Sequence, residues 1–263
     1  MIKYPKIESL YKRDDKFKFT KERRITDIDN VKNIVITEKI DGTNAQIVLS
    51  IDYNTLAVKV RFCSKETEIL QKDVMFIANT CTKKLNIKKI SEWYYNEFAL
   101  DQQLGRVKEN VVEVRLFGEV YGAGINKGGT YSKEKDFRLF DIQIGEHFVD
   151  YSTLIEIAEK LGIKTVPLIY NGLQEDLLEY ENIKDYVCRL TTKIIDEGGT
   201  GGLVEGIVIR PEPLLLNRFG GRIIIKVKLN DFTYEEIKEK QLTIDEVNPE
   251  DIDRREGLYN EKY

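Results

Sequence analysis

Apolar and polar positions alternate strictly in the first quarter of the chain. Leu56, Val58, Val60 and Phe62 interleave with Ala57, Lys59, Arg61 and Cys63, the two-residue period of a strand with one buried face. Together with apolar runs before it, this predicts strands over 31–37, 44–51 and 55–63, arranged as half-buried antiparallel neighbours. From about 68 to 104 the spacing loosens to a helical period, around Leu70, Val74, Ile77 and Ala78 and then Trp93, Tyr94 and Phe98. Strands resume at 111–120 and 137–144, and Gly145-Glu146-His147-Phe148 reads as a hairpin turn. Thr153 and Glu156 have the spacing of a capping box. The helix it opens carries Leu154, Ile157, Ala158 and Leu161, and Gly162 stops it. A further apolar-periodic stretch spans 176–196 and ends in the loop Glu197-Gly198-Gly199-Thr200-Gly201-Gly202. Strands at 203–210 and 222–229 follow, then a charged helical tail from Thr233. No repeat or low-complexity linker interrupts the pattern, so one large domain over 1–232 with a helical tail over 233–263 is expected.

Composition narrows the class without fixing it. A chain of 263 residues with 41% hydrophobic and 33% charged residues can bury a sizeable core. No apolar stretch reaches the length of a membrane span and the N-terminus lacks a signal core, so no membrane association and a cytoplasmic location are expected. Cys63, Cys81 and Cys188 are widely spaced and His147 is the sole histidine, which leaves little for a disulfide framework, a zinc site or a histidine triad. The net charge of −4 argues against coating nucleic acid by bulk charge, but leaves room for a local basic groove. Residues 12–24, KRDDKFKFTKERR, either lie along a phosphate backbone or form a solvated charged face.

The candidate chemistry gathers on and beside the strands. In Glu38-Lys39-Ile40-Asp41-Gly42-Thr43-Asn44 an amine stands near the end of an apolar run, beside a glycine that permits a tight turn against a ligand. Strand alternation puts Arg115, Phe117 and Glu119 on one face, with Glu119 at a strand end, where it either reaches a ribose hydroxyl or a metal-bound water or is simply an exposed strand glutamate. In Asp136-Phe137-Arg138-Leu139-Phe140-Asp141-Ile142, alternation sets Arg138, Phe140 and Ile142 against Phe137, Leu139 and Asp141. One phenylalanine can then stack on a base while the other fills the core, or both can be core. The glycines of 122–129 lack the Gly-Lys-Ser/Thr ending of a phosphate loop. Glu205 stands at the mouth of an apolar strand. Lys226 and Lys228 point to the same side of another, an unfavourable pairing that a polyphosphate would relieve.

This ordered set resembles the covalent nucleotidyltransferase superfamily of ATP-dependent ligases and capping enzymes, and most closely its RNA ligase 2 group, from Lys3-Tyr4-Pro5-Lys6-Ile7 to about residue 232. The resemblance implies an α+β, ATP-grasp-like nucleotidyltransferase domain of two antiparallel sheets flanked by helices, with the nucleotide held between them. It also implies three steps: adenylylation of a lysine by ATP, transfer of AMP to a 5′-phosphate, and sealing by a 3′-hydroxyl. By the resemblance, Lys39 is the nucleophile, Glu38 helps fix the adenine, and Asn44 handles the 5′-phosphate. Lys65 stands in a cluster where the family usually has arginine. Glu119 holds the ribose, Phe140 stacks on adenine with Asp141 beside it, and Lys226 and Lys228 contact phosphate. Glu205, with Glu119, is placed to hold Mg²⁺ or Mn²⁺.

The implied partners are ATP and RNA carrying 5′-phosphate and 3′-hydroxyl ends. An ordinary lysine titrates near 10.4, so presenting a neutral amine at pH 7 costs about 4–5 kcal/mol, which neighbouring cations reduce. Two departures stand out. Lys65 lacks the arginine fork. The segment after Lys228, opening Asp231-Phe232-Thr233-Tyr234-Glu235-Glu236, is short and acidic, with no OB-fold expected, so an accessory protein or the basic N-terminal segment is a candidate clamp. A minimal DNA ligase, a GTP-using capping enzyme and a non-catalytic nucleotide- or RNA-binding module are the alternatives.

Overall fold

The computed structural model describes residues 3–52, 57–65, 75–100, 112–126, 130–196 and 198–245, with side chains through 241 in the last segment. In chain order the strands are β1 (Glu8–Ser9), β2 (Tyr11–Arg13), β3 (Phe19–Arg23), β4 (Asn33–Lys39), β5 (Thr43–Ile51), β6 (Val58–Ser64), β7 (Val114–Tyr121), β8 (Asp136–Ile144), β9 (His147–Phe148), β10 (Leu168–Leu173), β11 (Gly206–Pro211) and β12 (Ile225–Lys228). The helices are α1 (Met75–Lys84), α2 (Ile87–Tyr94), α3 (Tyr151–Leu161), α4 (Tyr180–Arg189) and α5 (Tyr234–Asp245), with a π-turn at Tyr95–Ala99 continuing α2.

Two five-stranded sheets carry the fold. One runs β1-β12-β11-β4-β10 and the other β6-β5-β7-β8-β9, while β2 and β3 form a separate hairpin. Pairing is antiparallel except for β1 and β12, which run parallel with Ser9 opposite Lys226. The alternation read from the sequence explains the sandwich. Ile34, Ile36, Ile207, Ile209, Ile225 and Val227 pack under the first sheet against Ile183 and Val187 of α4. Leu116, Val120, Phe137, Leu139 and Ile142 pack under the second against α1, α2 and α3. Ile237 of α5 joins the first of these cores, and Tyr180 donates a hydrogen bond to Glu236 at 3.1 Å. Among the described residues no helix is long and apolar enough to cross a membrane.

Several expectations shift. The strand expected at 31–37 runs to Lys39, so the amine stands on the strand itself. The long stretch 176–196 is helical only over α4, after which residues 190–205 take an irregular path that carries Thr192 and Lys193 to the carboxylate of Glu38. The capping box at Thr153 is not formed: α3 starts earlier, with Asp150 accepting from the Thr153 amide at 3.0 Å and Glu212 accepting from the amides of Tyr151 and Ser152. Two carboxylates thus take three of the free amides of the first turn, which leaves Thr153 inside it. Gly162 does end α3, at a φ of 71°. Leu70, Val74 and residues 55–56 lie outside the described residues.

Face assignment on β8 also changes. Phe117 faces Asp141 across the ladder while the next residue, Gly118, faces Leu139, so Phe140 is an extra residue bulged out of the pairing. A bulge resets the two-residue alternation beyond it. Ile142 therefore joins the core with Phe137 and Leu139, instead of sharing a face with Arg138 and Phe140. Phe140 and Asp141 both leave the helix-side core.

Candidate active site

Strand β4 belongs to one sheet and β5 to the other, so the segment Ile40-Asp41-Gly42 between them is the crossover where the sheets diverge. The turn is held by three contacts. Asn126 donates to Asp41 and to the Gly42 carbonyl at 3.1 and 2.9 Å, and the Asp41 amide donates to the Tyr131 hydroxyl at 3.1 Å. A methyl group at Gly42 would sit 2.5 Å from the Val120 carbonyl oxygen and 2.7 Å from Cγ of Glu119. Only glycine lets this crossover lie against β7, which is the physical content of the Lys-x-Asp-Gly spacing.

Register assembles the cations. Lys39, Gly206 and Lys228 form one row across β4, β11 and β12, and Thr37, Val208 and Lys226 form another. Side chains directly opposite in a sheet share a face, so three lysines from two outer strands flank a central strand that contributes glycine and valine. A side chain at position 206 would meet the Val227 carbonyl at 2.2 Å, so the centre of the row stays open. Glu205, one residue ahead of β11, reaches over it: its carboxylate oxygens accept from Nζ of Lys39 and from Nζ of Lys228, each at 2.5 Å.

These rows floor a cleft of about 320 Å³ between the sheets. Of the residues singled out in the sequence, Glu38, Lys39, Asn44, Lys65, Glu119, Phe140 and Lys226 line it. Glu205 and Lys228 lie at its edge through their ion pairs, and Asp141 is fully buried behind it. Asn44 and Glu119 are cross-strand neighbours on β5 and β7. The Oδ1 of Asn44 is buried and has no hydrogen-bond partner. Phe137 fills the core, while Phe140 stands half-buried on one wall of the cleft, packed against the small cluster around Ile40 and Val166.

Burial and neighbouring charge tune the site. Glu119 is pushed up to about 8, first by burial and then by Glu205 and Asp41, with Lys39 opposing. Glu38 is also raised by burial, against hydrogen bonds from the Thr192 hydroxyl at 2.5 Å and the Lys193 amide at 3.0 Å. Lys226 is lowered by burial and by the charges of Lys228, Lys39 and Arg13, which favours its neutral form. Among the described residues no three His, Cys, Asp or Glu side chains converge as a ready-made metal cluster. Glu119 and Glu205 offer the hard oxygen donors that a divalent cation such as Mg²⁺ or Mn²⁺ takes, but Glu205 is engaged by Lys39 and Lys228 and the rise of Glu119 comes first from burial.

Several cleft residues were assigned no role from the sequence, although Tyr4 to Ile7 lie in the stretch that opens the resemblance. Tyr4 packs edge-on to Phe140 with ring centroids 5.1 Å apart and donates to Asp141 at 2.7 Å. Pro5, Lys6 and Ile7 continue that wall, and Val166 and Arg210 complete it. Arg210 donates to the Phe140 carbonyl at 3.2 Å and so steadies the bulge. They come from distant segments, and only the folded chain brings them together.

The sequence matches the RNA ligase family over residues 32–228. No match was found among curated proteins. Three structures of Naegleria gruberi RNA ligase variants share its fold. A ligand-free variant is 16% identical with a TM-score of 0.53, covering 90% of this chain and 63% of that one. A variant with ATP and Mn is 16% identical with a TM-score of 0.55, covering 87% and 56%. A second ligand-free variant is 18% identical with a TM-score of 0.52, covering 90% and 63%. The chain thus spans less than two-thirds of the length of these ligases.

Proposed function

The chain belongs to the RNA ligase family, and from the arrangement around Lys39 we propose that it is an ATP-dependent RNA ligase acting through a covalent lysyl-AMP. The observation that carries the reading is the row Lys39–Gly206–Lys228 beneath Glu205, at the floor of a cleft that also presents Lys226, Glu119 and Phe140.

In the first step the neutral amine of Lys39 attacks the α-phosphorus of ATP. A P–N bond forms, the P–O bond to the leaving group breaks, and pyrophosphate departs with that electron pair. Before this can happen the amine must leave its ion pair with Glu205 and give up a proton; Lys228 stands in its row of the sheet and Lys226 in the adjacent one. The same two cations offset the charge that gathers on the equatorial phosphate oxygens. Phe140 supplies the face on which adenine lies, Glu38 fixes its edge, and Glu119 accepts from the ribose. Lys65 reaches the phosphates from the far rim. Glu119 and Glu205 would hold Mg²⁺ or Mn²⁺, which supplies charge neutralisation at phosphate oxygens.

In the second step a 5′-phosphate oxygen of the nucleic acid attacks the same phosphorus, the P–N bond breaks, and the lysine nitrogen takes back its electron pair. Asn44, whose side-chain amide nitrogen can donate to a phosphate oxygen, would orient that end. A 3′-hydroxyl then displaces AMP. The proposed substrate is RNA with 5′-phosphate and 3′-hydroxyl ends, the proposed setting is the cytoplasm, and the clamp is an accessory protein or the chain's own basic hairpin.

The test is retention of label from α-labelled ATP on the denatured protein and its chase onto a nicked RNA. Lys39→Ala is expected to reduce retention to background. Full labelling of that variant would overturn the assignment, and absence of label on the wild-type protein would favour a binding module.

A further inference from the structure

We propose that the hairpin tip Lys16-Phe17-Lys18 and the groove beside it hold a single strand of nucleic acid, with a base stacked on Phe17 and backbone phosphates against the lysines. The proposal rests on the ligase reading only for the claim that this strand is the one to be joined.

The groove, about 430 Å³, lies beside the nucleotide cleft and shares Lys226 with it. Its walls carry Arg13, Lys16, Lys18, Lys226 and Lys228 against a single carboxylate, Asp231. That excess of positive charge stands out in a chain whose net charge is −4. Asp231 is already occupied by Arg13 at 2.5 Å, and Lys16 and Lys226 enter no ion pair among the described residues. Like charges gathered in one concave site repel one another unless an anion lies among them.

Phe17 gives the groove its second character. Its ring is 77% exposed and joins no hydrophobic cluster among the described residues, and its backbone holds a φ of 61°, a left-handed conformation that costs free energy for any residue but glycine. The tip is nonetheless built firmly. Asp14 accepts from the amides of Lys16 and Lys18 through its side chain at 2.9 and 2.8 Å, and from the Phe17 amide through its carbonyl at 3.0 Å. Lys18 then pins the tip to the segment after β12, donating to the carbonyls of Asn230 and Phe232 at 2.8 and 2.9 Å. Nearby Phe19 behaves in the ordinary way, buried against Tyr11 and Phe232. A strained, braced turn that holds an aromatic face out to solvent between two lysines has the two parts of a single-strand site: a stacking platform and a cationic track. The shared Lys226 directs that track toward the cleft where the reacting phosphate would lie.

The measurement is fluorescence anisotropy with a short labelled single-stranded RNA bearing a 5′-phosphate, run beside ATP-dependent labelling of the protein. Loss of one stacked base predicts that Phe17→Gly, which keeps the left-handed turn without strain, weakens RNA binding by about five- to a hundredfold. Phe17→Trp is expected to retain affinity. Lys16→Gln should lower the slope of log affinity against log salt by about 0.7. Unchanged RNA affinity in both Phe17→Gly and Lys16→Gln would overturn the proposal. So would a rise in the ATP concentration needed for labelling without any change in RNA affinity, which would assign the groove to the triphosphate tail. If the wild-type protein binds RNA through Phe17 but takes no label, the groove stands and the ligase reading falls.

Discussion

At neutral pH the carboxyl group of Glu119 keeps its proton in most molecules, because burial and the charges of Glu205 and Asp41 have moved its titration to about 8. An unfolded glutamate loses that proton near 4.5. Between those values the folded protein binds a proton that the unfolded chain has lost, so this group makes stability fall as pH rises across the window and level off above it. Glu119→Gln is therefore expected to raise stability by a few kcal/mol at pH 8 and by almost nothing at pH 4, as read from denaturant unfolding at the two pH values. A stability difference independent of pH would mean that the carboxyl is ionised throughout. At this scale much of the cleft was legible in the sequence. Lys39, Glu119, Phe140 and Lys226 were ambiguous one by one, and their ordered combination, through its resemblance to the ligases, is what singled them out. Tyr4 and Arg210 were given no role, because a tyrosine near a terminus and an arginine at a strand end are ordinary until folding places them against Phe140.

Between residues and the whole, the elements follow local rules except where a distant segment intervenes. Most strands of the two sheets were foreseen from their apolar pattern, whereas β10 and the short strands β1, β2, β3 and β9 were not: their own pattern is short or weak, and β1 and β10 find their partners far along the chain. The bulge at Phe140 is invisible to a two-residue period because one unpaired residue inverts the parity of everything after it. Helix α3 makes the same point about ends. Its expected cap at Thr153 yields to Asp150, which has the better geometry, and to Glu212 from beyond β11. Asp150→Ala should cost about 1 kcal/mol in thermal or denaturant unfolding, while Glu156→Ala should be close to neutral. The reverse order would restore the later cap.

Taken whole, the molecule is two sheets tied across the cleft by a buried charge cluster. Asp141, fully buried on β8, accepts from the Tyr4 hydroxyl at 2.7 Å and from Arg222 at 2.6 Å, and Arg222 also lies over the ring of Phe148 at 3.5 Å. Arg222→Met would leave buried Asp141 with only Arg210, at 3.9 Å, to balance its charge. A loss of about 3 kcal/mol is expected, with part of it recovered in the double variant with Asp141→Asn, whose neutral amide no longer needs the cation. Equal losses in the single and double variants would show that packing, and not charge, holds the sheets. The parallel pairing of β1 with β12 bears on synthesis. Tyr4 and Ser9 leave the ribosome more than two hundred residues ahead of their partners around Arg222 and Lys226. Until then β1 has no strand to join, and Lys39 stands without the lysines of β12. Such long-range closure is slow, so Lys39 is made long before Lys226 and Lys228 can stand beside it, and the proposed adenylylation would be deferred until β12 is in place.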